Sequence, residues 1–200
     1  EISLGLVGSE MCIRDRVTQK NRIYTFLNPV SYLIALENKS LFEQFDGIFA
    51  DGSLLVSAIR LVYGKRVTRR SFDMTSLAPE LLNYLMESRK TLYIVASGQE
   101  QVECSVRIFQ EQYPELRIAG FRNGYFSSDA EMNKEASHIV ELNPDFLIVG
   151  MGALMQEKFL LKVKKMGYQG IGFTCGGFVH QTAMNRLSLI HISEPTRPRL

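Results

Sequence analysis

Short, continuous apolar runs constrain this chain more than any other feature. Ile48-Phe49-Ala50, Leu92-Tyr93-Ile94-Val95-Ala96, Phe146-Leu147-Ile148-Val149 and the run at 170–174 each end in glycine, a turn residue or a new helix signal. A strand that is apolar at successive positions is buried on both faces, the mark of a parallel sheet covered by helices. Between these runs lie segments with helical spacing. The sequence predicts strands at 22–27, 47–50, 92–96, 116–120, 146–149 and 170–174. It predicts helices at 30–37, 52–62, 99–112, 128–142 and 155–165, with a further amphipathic helix reaching Ser88 that starts at Asp73-Met74-Thr75-Ser76. The expected fold is α/β: a Rossmann-like, mainly parallel sheet with helices on both faces. Neither a repeat nor a linker divides it.

The two ends read differently. LVGSEMCIRDR (6–16) matches the translation of a common sequencing adapter, and LSLIHISEPTR (187–197) that of its reverse complement. Segments 1–16 and 187–200 are therefore expected to be foreign. One domain is expected at 17–186, incomplete at its C-terminus and, as a fragment, inactive. Cys12, His191 and the Glu194-Pro195-Thr196-Arg197 stretch are left out of the functional reading.

Net charge is +2, and it stays +2 without the two ends, where 19 basic and 17 acidic residues remain. That balance gives no argument for nucleic acid. Cys104 and Cys175 lack metal-ligand or disulfide spacing and suit a reducing cytoplasm. No apolar run approaches the roughly 20 residues of a membrane-spanning helix.

In open α/β sheets the ligand crevice lies at the carboxyl ends of the strands. Three segments fall there. Asp51 follows Ile48-Phe49-Ala50 and precedes Gly52. A carboxylate so placed can act as a general base on a hydroxyl, or can cap the following helix. Gly150-Met151-Gly152 precedes Gln156-Glu157; its glycines admit a phosphate to backbone N–H groups, or simply serve a tight turn. Gly176-Gly177-Phe178 precedes His180-Gln181-Thr182, where the histidine is either a donor ligand or structural. Arg66, Arg69 and Arg70 precede Ser71-Phe72-Asp73. They suit a diphosphate, or form a solvated loop. Asn28 closes the first strand and either meets a ligand or forms the turn before Pro29.

Taken in order and spacing, these segments resemble the WecG/TagA/CpsF family of bacterial glycosyltransferases over the middle 160–170 residues. The resemblance implies an inverting transferase without cofactor or metal ion. Its donor would be a UDP-sugar of N-acetylmannosamine type or a related hexose. Its acceptor would be a polyprenyl-diphosphate-linked sugar used for surface polysaccharide. By the same resemblance Asp51 is the base and Arg69, or Arg70 one position on, assists the leaving diphosphate. Asn28, Gly150, Gly152, Gln156, Glu157, Gly176, Gly177 and His180 would bind substrate. The parent protein would be cytoplasmic, touching the inner face of the plasma membrane through the C-terminal segment missing here; a homo-oligomer is compatible with it. The chain departs from the family's GxGxPKQE segment at Leu154 and Met155, which stand in place of Pro and Lys, and Phe72 stands where many members have Gly. Gly124-Tyr125-Phe126 matches an NGYF-like element, whose aromatic pair is expected to pack. A different class, a nucleotide-binding regulatory or assembly protein without catalysis, is compatible with the same glycine-rich loops. It has no need of a carboxylate base at Asp51. A dinucleotide-dependent oxidoreductase fits less well, because no G-x-G-x-x-G opens the first helix.

Overall fold

The computed structural model describes the backbone of residues 20–193 and the side chains of 20–185. Residues 1–19 and 194–200 lie outside the described residues, and with them the segment expected to be foreign at the start and half of the one at the end. Six strands alternate with helices: β1 (Arg22–Leu27), α1 (Pro29–Glu37), α2 (Lys39–Phe42), β2 (Gly47–Ala50), α3 (Ser53–Tyr63), α4 (Leu77–Glu87), β3 (Thr91–Ala96), α5 (Gln99–Gln112), β4 (Arg117–Arg122), α6 (Asp129–Leu142), β5 (Phe146–Gly150), α7 (Met155–Lys165), β6 (Ile171–Thr174) and α8 (Phe178–Ser193).

All pairings are parallel, in the order β2-β1-β6-β5-β3-β4. The four central strands have almost no exposed side chain, which explains their unbroken apolar runs. One core cluster joins α4, α5 and α8 to one face of the sheet; a second joins α1, α2, α3, α6 and α7 to the other. An aromatic stack of Phe26, Phe49, Phe72, Phe173 and Phe178 runs through the first. Phe72 is its centre, which gives that departure from the family's glycine a packing role.

Three expectations shift. β4 runs two residues further than expected, because as an edge strand it alternates partly buried and exposed side chains instead of running apolar. Helix α4 starts at Leu77; Asp73 instead closes a turn by accepting from the backbone N–H and hydroxyl of Thr75 at 2.8 and 2.7 Å. The last glycine loop stops at Gly177, and His180-Gln181-Thr182 sit in the first turns of α8 because Phe178 and Val179 bury there. The backbone of α8 continues past residue 186.

Strands β1 and β6 are neighbours whose following helices leave to opposite faces, α1 to the second core and α8 to the first. Chain that diverges in this way opens a crevice between the two strand ends.

Candidate active site

The crevice has two connected hollows that share Asn28, Ala153, Gly176 and Gly177. The larger, about 660 Å³, is lined by Ser97, Tyr125, Gly150, Gly152, Met155 and His180 among others. The smaller, about 330 Å³, is lined by Asp51, Arg69, Ser71, Asp73, Gln156 and Gln181 among others. Nine of the ten residues singled out from the sequence line one hollow or the other. They come from the ends of β1, β2, β5 and β6, from the first turns of α7 and α8, and from the loop before α4.

Asp51 leaves β2 with its backbone N–H donating to Leu27 at 2.8 Å. It does not cap α3: the cap position is Gly52, at φ 94, and no side chain bonds there. The only partner of the Asp51 carboxylate among the described residues is Arg69, at 4.0 Å. Arg69 also reaches Asp73 at 3.4 Å. Partial burial disfavours a charge on Asp73, but hydrogen bonds from Ser71 and Thr75 and the Arg69 guanidinium outweigh it and lower its pKa. Asp73 thus stays anionic and holds Arg69 beside Asp51. Arg70 does not line the hollow; its N–H pairs with Ala50 at 3.0 Å.

Asn28 caps α1. Its Oδ1 accepts from Val30 and Ser31 at 3.0 and 2.9 Å, and Ser31 Oγ accepts from its backbone N–H at 2.8 Å. It nonetheless lines both hollows. At Gly150 a Cβ would meet Cys175 Sγ and the Gly176 carbonyl at 2.7 Å, so the two glycine-rich loops touch only because a side chain is absent. Cys175 is buried under the smaller hollow, and burial pushes its thiol up to about 12, so it stays protonated. His180 faces Ser97, Nδ1 to Oγ 3.4 Å.

Glu157 lies behind the crevice and lines neither hollow. It is fully buried. Its Oε1 accepts from Thr25 Oγ1 at 2.8 Å and Gln156 Nε2 at 2.9 Å; its Oε2 accepts from the Leu154 N–H at 2.7 Å. Gln156 Oε1 in turn accepts from the Gly176 N–H at 3.1 Å, and Thr25 shares a hydrogen bond with Thr174 at 2.8 Å. One carboxylate therefore ties β1, β6, α7 and both glycine-rich loops together. Burial raises its pKa against the pull of these hydrogen bonds. Direct contact with substrate, expected of Glu157 from the family resemblance, is not available to a carboxylate so enclosed.

Sequence reasoning passed over Ser97 and Thr174 and gave Gln181, quoted beside His180, no role of its own, because these residue types carry no signal by themselves. It expected Tyr125 and Phe126 to pack. Phe126 does, against Phe159 at 5.3 Å and under Arg122 at 4.0 Å. Tyr125 is 74% exposed and forms part of the wall of the larger hollow. Among the described residues no group of three or more His, Cys, Asp or Glu side chains is placed to hold a metal ion, and no helix is long and apolar enough to cross a membrane.

The profile of the glycosyl transferase WecG/TagA/CpsF family matches residues 9–186. The chain belongs to this family. A relative in Shigella boydii, UDP-Gal:alpha-D-GlcNAc-diphosphoundecaprenol beta-1,4-galactosyltransferase, is 33% identical over 80% of this chain and 67% of its own length. N-acetylglucosaminyldiphosphoundecaprenol N-acetyl-beta-D-mannosaminyltransferase of Bacillus subtilis (strain 168) is 23% identical over 78% of this chain and 60% of its own length. Among solved structures, unliganded arylmalonate decarboxylase covers 89% of the chain and 97% of its own, at 12% identity and a TM-score of 0.37, a level that carries no argument. The arrangement of this WecG/TagA/CpsF chain suits group transfer: a carboxylate and a guanidinium meet, 4.0 Å apart, where two glycine-rich loops leave backbone exposed.

Proposed function

We propose that the full protein transfers a hexose from a UDP-sugar to a sugar carried on a polyprenyl diphosphate, with inversion at the anomeric carbon. Both relatives named above act, by their names, on N-acetylglucosamine linked to diphosphoundecaprenol. UDP-galactose is the first donor to try, because the galactosyltransferase has the higher identity; a UDP-N-acetylmannosamine donor is the second.

In this reading the nucleotide occupies the larger hollow, with its diphosphate over Gly150, Gly152, Gly176 and Gly177 and within reach of the first turn of α7. Asp51 takes the proton from the acceptor hydroxyl. The oxygen attacks the anomeric carbon, the bond from that carbon to the diphosphate oxygen breaks, and the electron pair leaves with UDP. Arg69 stands where that negative charge develops. Support comes chiefly from one observation: Asp51 is one-third exposed (32%) in the crevice, does not cap its helix, and among the described residues has only Arg69 beside its carboxylate. A protein that merely bound a nucleotide would gain nothing from a carboxylate open to the crevice there, so the non-catalytic reading is second.

The experiment is Asp51→Asn in the full-length parent, assayed with UDP-galactose and a lipid-linked N-acetylglucosamine diphosphate. UDP binding should persist while transfer falls by roughly 10²–10⁴. Transfer near the wild-type rate would remove Asp51 from the mechanism.

A further inference from the structure

Helix α3 is apolar on two sides. Leu55 and Ile59 face the core and are buried. On the adjoining, solvent-facing side Leu54, Ala58, Leu61 and Val62 recur at helical spacing, a second stripe in a place where a surface helix normally carries polar residues. Leu54, Leu61 and Val62 are 70%, 88% and 69% exposed. The neighbouring α1 adds Val30 and Leu33, and the two helices are joined by the Tyr32 and Tyr63 hydroxyls at 3.4 Å. A contiguous exposed apolar patch of this kind marks a contact surface.

On α3 and the loop that follows it the charge has one sign, while α1 carries one exposed anion, Glu37, on the face of Val30 and Leu33. Residues 53–72 contain Arg60, Lys65, Arg66, Arg69 and Arg70 and no Asp or Glu. Arg60, Lys65 and Arg66 are exposed next to the apolar stripe. The whole chain is nearly neutral, so this is a local accumulation. A second copy pairing α3 with α3 across a two-fold axis would set these cations against themselves. An anionic lipid surface offers both complements at once, hydrocarbon for the leucines and phosphate for the cations.

We propose that the α1–α3 face docks on an anionic lipid surface, with Leu54, Leu61 and Val62 entering the interface and Arg60, Lys65 and Arg66 meeting headgroup phosphates. Both helices start at the crevice rim, α1 just after Asn28 and α3 just after Asp51 and Gly52. Docking therefore brings the open side of Asp51 to the bilayer. The inference rests on the proposed transferase only for this orientation, in which a lipid-linked acceptor arrives from the docked side. The contact is made by this chain's own surface, without the C-terminal segment to which the family resemblance assigns membrane contact.

Flotation of the full chain with vesicles tests it, using phosphatidylcholine alone or mixed with phosphatidylglycerol, without donor or acceptor. The wild-type chain should float with the anionic vesicles. Leu61→Ser with Val62→Ser should lower partitioning by roughly tenfold. Arg60→Gln, Lys65→Gln and Arg66→Gln together should lower it by roughly fivefold per cation at low salt and remove the preference for phosphatidylglycerol. All five side chains are exposed, and unchanged melting curves would show that the fold is intact. Arg89→Gln with Arg117→Gln, away from this face, should leave partitioning unchanged. Equal loss in that control, or no loss in the first two variants, would overturn the proposal. So would a wild-type dimer in lipid-free sedimentation that the leucine and valine changes dissociate, since the face would then be a contact between copies. Binding without transfer in the parent would leave docking standing and sink the transferase; transfer without vesicle binding would do the reverse.

Discussion

Replacing Glu157 by alanine should loosen the crevice from behind. The variant removes the common acceptor of Thr25, Gln156 and the Leu154 N–H. Thr25 keeps its hydrogen bond to Thr174. The Gln156 amide and the Leu154 N–H are left without that partner, and an unsatisfied buried donor costs about 1–3 kcal/mol. With the cavity left by the side chain, the loss should be about 3–5 kcal/mol. In a domain of this size that lowers Tm by roughly 10 °C. Glu157→Gln keeps the volume and one acceptor and should lose about half as much. The pH dependence separates the two effects. The native pKa of Glu157 is raised, so the folded state holds its proton more tightly than the unfolded state does. Its contribution to stability is complete below the ordinary glutamate value of 4.5 and is lost as pH rises through the elevated native value. The wild-type protein should therefore lose stability relative to Glu157→Gln as pH rises over that range. Thermal melts across pH are the assay. A Glu157→Ala protein that melts with the wild type, or a wild-type minus Gln difference that grows with pH, would refute the argument.

Arg69→Ala in the parent should reduce transfer by roughly 10–10²-fold, whereas Arg66→Ala, assayed with a detergent-dispersed acceptor so that docking on a bilayer does not enter, should leave turnover within about twofold of wild type; equal small effects in steady-state kinetics would remove the diphosphate role from Arg69. Tyr125→Ala should weaken UDP binding roughly tenfold with little change in Tm, because an exposed aromatic wall offers stacking and no packing. Calorimetric titration with UDP and with orthophosphate would show whether the loss belongs to the base.

The layer architecture was legible because burial on both faces leaves no polar position in the central strands, and four apolar runs between helices admit few other folds. Edge strand β4 was less legible for the converse reason: its half-exposed side chains remove the run that marks a strand. At the site, glycine and aspartate at strand ends could be read because strand ends form crevices whatever the family. The partnership of Glu157 with Thr25 could not. It joins residues 132 apart in sequence, and a threonine in a buried strand reads simply as a strand former. Spacing places a side chain at a strand end; it does not say whether the side chain faces the ligand or the core. Glu157 was misplaced for that reason, and Tyr125 was taken for packing for the same one.

The departure at Leu154 is where sequence and structure inform each other most. Where the family's segment has proline, Leu154 adopts φ 72. Proline is confined near −65° and cannot take that conformation. Proline also lacks the N–H that here donates to Glu157 Oε2 at 2.7 Å. The Leu-Met form of the segment therefore depends on a tie to Glu157 that the Pro-Lys form cannot make, and the two forms hold the loop over the larger hollow in different ways. Leu154→Pro restores the family's residue, yet it should destabilise this chain by about 3 kcal/mol or more and weaken UDP binding by at least roughly tenfold. Combined with Glu157→Ala, it should add less than it does alone, because both changes remove the same hydrogen bond. A Leu154→Pro protein with wild-type melting and wild-type affinity would show that residue 154 has negative φ in solution, and that the Leu154–Glu157 tie does not hold the loop.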